Sequence, residues 1–205
     1  MYQSFHNPIP EDTYALNIIQ GSFEWLQRRR KYITGTDMAM VVREESWQRL
    51  LDSKLNPKTF RSKAMIRGNH FEPEARSMLS QKTGLNYMPV VMVNDKRGMQ
   101  ISLDGMTFGR RFTCEIKVPE KGEMSKLWAD AKSGKMSRAY YLQVQSGLLV
   151  TGAAVCHYWV YCPESRRGVL VDVEPDRDAF REILQSTSNY WKSDYATKQK
   201  HSLAA

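Results

Sequence analysis

The spacing of apolar residues changes character along the chain. From Gly21 to Gly84 it is helical: "SFEWLQRRRKY" follows Gly21 and Ser22, a suitable N-cap, and "TDMAMVVRE" opens on Thr36, a second candidate cap. "TFRSKAMIRGNHFEPEARSMLSQKTG" reads as a helix stopped by Gly84. Its Pro73 fits only a first turn or a kink, so the helix either begins near Phe71 or bends there, with Glu72 at that terminus or bend. The middle of the chain turns strand-like in "NYMPVVMVND", "GMQISLDG" and "FTCEIKVP", bounded by Asn-Asp, Asp-Gly and Gly-Arg turn signals. "SRAYYLQVQSGLLVTG" returns to helical spacing, with Tyr140, Gln143 and Ser146 or Gly147 on one side and Leu142 and Leu149 elsewhere. Two more strands, "AAVCHYWVYC" and "GVLVDVE", precede a long helix from about Asp176 to Lys200. Helices, a strand meander, a helix, strands and a helix make a mixed sheet with helices packed on it, in the α/β (α+β) class.

No linker or composition shift divides residues 1–205, so the expectation is one domain with its own core. No apolar run approaches the ~20 residues of a membrane span. The start "MYQSFHNPIPEDTY" lacks the layout of a signal peptide, which implies a soluble, intracellular protein without membrane contact. The three cysteines, Cys114, Cys156 and Cys162, fit no zinc or redox spacing and read as buried thiols, and His157 beside Cys156 reads as core.

Charge narrows the class of partner. Thirty Lys and Arg against 22 Asp and Glu give +8, and the cations are bunched at Arg28 to Lys31, Lys54 to Arg67 and Lys192 to Lys200. Such a field attracts a polyanion, although a basic surface alone does not establish nucleic-acid binding.

The candidate chemistry lies in "ISLDGMTFGRRFTCEIKVPEKGE". A strand alternates its faces, so Glu115 and Lys117 point to one side. A turn at Asp104-Gly105 would bring Asp104 opposite Glu115 in a short hairpin. Two buried carboxylates are costly without a cation, and Mg²⁺ with oxygen ligands is the natural one. Such an ion polarises a phosphodiester and acidifies water, which Lys117 can orient or help deprotonate, and a second ion can steady the leaving oxygen. The alternative is a cross-strand salt bridge on an exposed face. The apolar flanks Cys114, Ile116, Val118 and Pro119 weigh against it.

"LDG…CEIK" resembles the core of the restriction-endonuclease-like nucleases, with Asp, a variable gap and Glu-X-Lys. Further blocks, "GSFEWLQRRRKYITGTDMAMVV", "RGNHFEPEAR" and "AYYLQVQSGLLVTG", resemble in the same order the phage-type exonucleases related to lambda exonuclease, the YqaJ-like viral recombinase family. They span Gly21 to about Tyr161. The resemblance implies a restriction-endonuclease-like sheet flanked by helices. It also implies metal ligands at Asp104, Glu115 and the carbonyl of Ile116, a catalytic Lys117, a helix carboxylate at Glu72 for a second metal, and Gln143 with Tyr140 lining the site. Asp95 falls near another family acid, one residue out of spacing. Arg29, with Thr34 and Thr36 nearby, falls on the arginine that grips a terminal 5′ phosphate, and an Arg fork with hydroxyls near a helix N-terminus suits such a dianion. Two departures from the family pattern are Leu103 where Pro is frequent and Gly35 where Ala is frequent.

The implied function is a processive 5′→3′ exonuclease on linear double-stranded DNA, using two Mg²⁺ ions with Mn²⁺ as a substitute. It would release mononucleotides and leave a 3′ overhang for a single-strand annealing protein. The implied assembly is a ring-shaped homotrimer, which keeps DNA threaded, and the implied location is the cytoplasm of a bacterial host. The rivals are a structure-specific endonuclease on the same core and a non-catalytic DNA-end-binding module.

Overall fold

The computed structural model describes residues 12–57 and 62–204. The N-terminal stretch read for a signal peptide, up to residue 11, and residues 59–61 at the start of the long expected helix lie outside the described residues.

Seven strands form one mixed sheet: β1 (Thr13–Leu16), β2 (Ile33–Thr34), β3 (Met88–Asn94), β4 (Met99–Met106), β5 (Phe112–Lys117), β6 (Val155–Cys162) and β7 (Arg167–Val173). The order is β1-β3-β4-β5-β6-β7, with β2 added on β4. The β5–β6 and β2–β4 pairs are parallel and the rest antiparallel. The helices are α1 (Phe23–Lys31), α2 (Met38–Val41), α3 (Trp47–Leu55), α4 (Lys63–Thr83), α5 (Lys126–Lys132), α6 (Arg138–Thr151), α7 (Arg177–Lys192) and α8 (Asp194–Ala204). No described helix is long and apolar enough to cross a membrane.

Two faces of the sheet are covered by different helices. Met92, Met99, Ile101 and Leu103 pack with Leu142 of α6, Leu50 of α3 and Ile183 and Tyr190 of α7. Cys114 and Ile116 of β5 and Trp159 of β6 pack instead with Ala75 and Leu79 of α4. Each aliphatic side chain buried this way contributes about 1.5–3 kcal/mol. All three cysteines are free and buried within these layers, and so is His157.

Four expected details differ. The segment from Gly35 opens as a 3₁₀ turn, Gly35–Asp37, and its entry is held by Thr34 rather than Thr36: Asp37 Oδ2 accepts the Thr34 N–H at 2.7 Å and the Thr34 hydroxyl at 2.6 Å. Thr36 is left to face Arg29. Helix α4 does not start at Phe71; it runs 21 residues from the cap at Ser62 to Gly84 with Pro73 inside it, so Glu72 lies mid-helix. Proline deletes one backbone donor there, and the burial of Ala75 and Leu79 beyond it keeps the helix going. The Asp104-Gly105 pair is not a turn, because β4 continues to Met106 and the reversal falls in Thr107–Arg111, where Thr107 donates to the Phe112 carbonyl at 2.9 Å. The single C-terminal helix is two, parted at the extended Ser193. The break lets α8 fold back so that the Tyr190 hydroxyl donates to Gln199 Oε1 at 2.6 Å.

Candidate active site

Glu115 and Lys117 alternate on β5 with Cys114 and Ile116, which fill the α4 side. Their side chains therefore meet α6 across the opposite face. Lys117 Nζ donates to Glu115 Oε1 at 2.6 Å and sits 4.4 Å from the ring centre of Tyr140. Gln143, one turn beyond Tyr140 on α6, donates to the same Oε1 at 2.8 Å. The Ser137 side chain caps this helix, and the Ser146 hydroxyl donates to the Gln143 carbonyl at 2.7 Å.

Asp104 joins them because the β4–β5 ladder stops early. Its last pair is Gly105 with Cys114; past it Asp104 Oδ2 takes the Ile116 N–H at 2.7 Å. Glu72 arrives from α4. It pairs with Arg76 one helical turn on, and Arg76 Nε also donates to the Asp104 carbonyl at 2.6 Å.

The electrostatics follow from crowding acids in a buried place. Burial, then the carboxylates of Glu115 and Glu72, hold the Asp104 carboxyl well above its ordinary range against the pull of Lys117. Burial also raises Glu72, with Arg76 opposing. For Lys117, burial lowers the ammonium, but Glu115 and Asp104 outweigh it and the pKa rises, so this lysine is a cation here. Each of the three carboxylates has one oxygen held by an internal donor and one with no hydrogen-bond partner among the described residues. No group of three His, Cys, Asp or Glu among the described residues makes a ready metal cage. Mg²⁺ does not require one, since it takes one or two carboxylates and keeps water and phosphate oxygens as its other ligands. The all-oxygen, anion-rich donor set therefore fits that ion.

A second cluster lies beside the first. The Arg29 guanidinium stacks on Trp25 at 4.4 Å and donates through Nη2 to Thr36 Oγ1 at 3.0 Å and, more weakly, to Thr34 Oγ1 at 3.4 Å. Burial lowers its pKa and Asp37 opposes this. No carboxylate among the described residues forms an ion pair with it. A desolvated cation ringed by hydroxyls is a receptor for an anion. Gly35, between the two threonines, joins the clusters: a Cβ there would stand 3.2 Å from Gln143 Cγ and 3.3 Å from Ser146 Oγ.

The fold thus assembles Asp104, Glu115, Lys117, Glu72, Gln143 and Tyr140 in one place, and Arg29, Thr34 and Thr36 in the adjoining one. Asp95 joins neither. It lies in the β3–β4 turn, where its oxygens accept from the hydroxyls of Tyr14 at 3.0 Å and Tyr32 at 2.7 Å. Sequence reasoning missed Arg76, whose i,i+4 spacing from Glu72 was a usable signal. It also missed Ser102, which accepts from Trp25 Nε1 at 2.8 Å, and the buried Lys54, which had none.

Two carboxylates and a lysine on the central strands β4 and β5, joined by a helix carboxylate, thus lie beside a desolvated arginine, and comparison with known proteins makes the class that of a nuclease. The chain belongs to the YqaJ-like viral recombinase domain family, whose model matches residues 24–154. The fold is similar to that of an alkaline exonuclease from Laribacter hongkongensis, at TM-score 0.75 and 23% identity over 88% of this chain and 95% of that one. The complex of the same exonuclease with dAMP gives TM-score 0.71. A phage-related exonuclease from Haemophilus somnus is similar at TM-score 0.60 and 12% identity, over 83% of this chain and 96% of that one. No curated protein matches the chain in sequence.

Proposed function

We propose that the protein is a Mg²⁺-dependent exonuclease that digests one strand of linear double-stranded DNA from its 5′ end. In this reading it works processively in the cytoplasm, releases mononucleotides and leaves a 3′ overhang for a single-strand annealing protein. The observation that carries the reading is the set of three uncommitted carboxylate oxygens, on Asp104, Glu115 and Glu72, in one cluster where these acids and Lys117 act electrostatically on one another. Membership of a viral recombinase family and a fold shared with an alkaline exonuclease are consistent with it.

Asp104 and Glu115 would hold the first Mg²⁺ or Mn²⁺ ion, and Glu72 a second. The Ile116 carbonyl would be a further ligand: an extended residue turns its N–H and C=O to the same edge, and the Ile116 N–H already faces Asp104. When bound, the ions supply Lewis-acid activation of the phosphodiester and of water. Lys117, as a cation, donates to the charge that develops on the phosphoryl oxygens, held in place by Glu115 and by the face of Tyr140. Gln143 fixes the rotamer of Glu115. Arg29, Thr34 and Thr36 bind the terminal 5′ phosphate, so a scissile bond one nucleotide inward meets the carboxylates, and selection for an end follows. A closed homotrimeric ring would keep the DNA threaded between cuts.

The test is digestion of a linear duplex phosphorylated at one 5′ end, beside a closed circle, with Mg²⁺ and with chelator. Mononucleotides from the phosphorylated strand alone, and only with metal, are expected. Cleavage of the circle would replace the reading with an endonuclease, and metal-independent hydrolysis would remove the carboxylates from the mechanism.

A further inference from the structure

On the other side of α1 from Arg29, the β3–β4 turn faces helices α7 and α8 across a cavity of about 550 Å³. Lys31, Lys96, Arg97, Lys192 and Lys200 all line it. Its one lining carboxylate, Asp95, accepts from two tyrosine hydroxyls, and Lys96 forms an exposed ion pair with Asp12 at 3.7 Å, so the cations remain in surplus. A surplus of cations around one concavity is self-repelling, and an anion inside it relieves that repulsion. Arg97 lines the cavity, and its Nη1 is a buried donor with no hydrogen-bond partner among the described residues.

The apolar wall is Trp191. Its Nε1 donates to the Arg97 carbonyl at 3.0 Å, and the indole lies so close on Gly98 that a Cβ there would stand 2.6 Å from the ring. Lys200 Nζ is 5.4 Å from the indole centre. A fixed indole beside several cations is the combination that binds a nucleotide, the base against the ring and the phosphate on the ammonium groups. The volume is in the range of small-molecule sites. None of Asp104, Glu115, Glu72 or Arg29 lines the cavity. Lys31 and Arg29 are two helical residues apart, about 200° around the axis, which puts this cavity and the 5′-phosphate receptor on opposite sides of α1.

We propose that this cavity is a second nucleotide site, separate from the catalytic centre, that takes the phosphate of a nucleotide on Lys96, Arg97 and Lys192 and its base against Trp191. The nucleotide comes either as a free mononucleotide or as one unit of a single strand. The experiment is equilibrium binding to the full chain in chelator, where hydrolysis is off, with dAMP, inorganic phosphate and a short single-stranded oligodeoxynucleotide as probes. The exposed pair Lys96→Ala/Lys192→Ala is compared with Arg29→Ala. The double variant is expected to weaken dAMP or oligonucleotide binding about tenfold or more, equivalent to about 1.4 kcal/mol, while Arg29→Ala keeps the binding and Trp191→Phe weakens it less. Binding of dAMP identifies free nucleotide as the source, and binding of the oligonucleotide alone identifies the strand. Equal affinity for inorganic phosphate and dAMP, loss only in Arg29→Ala, or no binding of any probe would overturn the proposal. Metal-dependent digestion by the double variant is read separately, so a failure of the catalytic reading is not mistaken for a failure of this one.

Discussion

Lys54 offers the sharpest test of how the proposed phosphate receptor is held. Its ammonium is almost sealed, with a side chain 6% exposed, and it donates to Asp37 Oδ2 at 2.5 Å, the Arg29 carbonyl at 2.8 Å and the Tyr32 carbonyl at 2.7 Å. Asp37 in turn holds the N–H and hydroxyl of Thr34. One cation thus ties the last turn of α1 to the 3₁₀ turn that carries Thr34 and Thr36. Lys54→Met removes the charge and keeps most of the volume, leaving a buried carboxylate unpaired and two carbonyls without donors. Breaking one side of a buried ion pair costs about 3–5 kcal/mol. At about 2–4 °C per kcal/mol for a chain of this size, that is a fall in Tm of about 6–20 °C. Burial, with the nearby Arg29 charge, lowers the Lys54 pKa against the pull of Asp37, so desolvation offsets much of the pair's attraction. Lys54→Met/Asp37→Asn should therefore be more stable than Lys54→Met, since Asn keeps an acceptor for Thr34 and no charge is stranded. Urea unfolding of the three proteins at constant pH measures this. A loss below about 1 kcal/mol in Lys54→Met, or a double variant no better than the single, would show that the pair does not hold the receptor together.

Other outcomes follow from the same geometry. Lys117→Ala should reduce hydrolysis by at least about 100-fold while DNA binding in chelator persists; near-normal turnover would remove Lys117 from the chemistry. Arg29→Ala should lower kcat/KM on 5′-phosphorylated ends by about 10- to 100-fold, the equivalent of a charge-assisted hydrogen bond, and leave 5′-hydroxyl ends much less changed; equal losses would make it a general backbone contact. Gly35→Ala places its methyl 3.2 Å from Gln143 Cγ, so Gln143 must yield by a few tenths of an ångström, and a fall in kcat without a matching fall in Tm is expected; unchanged kinetics would mean that α6 yields freely. His157 sits buried against the Tyr87 hydroxyl, and burial lowers its pKa while Asp172 partly opposes. Its folded pKa lies below the unfolded value of about 6.5, so below that pH the unfolded state binds more protons and stability falls as pH drops. His157→Gln should flatten this acid limb in pH-dependent unfolding, and an unchanged limb would assign it to other groups.

The chain announced its sheet better than its supports. Strands β3 to β7 were legible because they are long apolar runs between turn residues, and alternation put Glu115 and Lys117 on one face. Strands β1 and β2 are four and two residues long and take their pairing from β3 and β4, which no local pattern records. The break at Ser193 was hidden because the residues on both sides are good helix formers, and only the contact of Tyr190 with Gln199 requires it. Pro73 misled for a related reason: its local cost is outweighed by the burial of Ala75 and Leu79 on the sheet. At the candidate site, the charged residues of the cluster were visible by motif. Those that hold them, Arg76 and Lys54, act across 28 and 17 residues, on the Asp104 carbonyl and Asp37, and became visible only in three dimensions.

The burial of all three thiols predicts slow reaction of the native protein with thiol reagents. Cys114, Cys156 and Cys162 are all buried, and burial pushes the Cys156 thiol up to about 12 and Cys114 well above its ordinary value, so reactive thiolate is scarce at those two. A single cysteine placed on an exposed helix position, such as Lys198→Cys, would be the one site a maleimide dye reaches in the folded chain. Fluorescent reporters of strand movement can thus be attached to the natural background without first removing its cysteines.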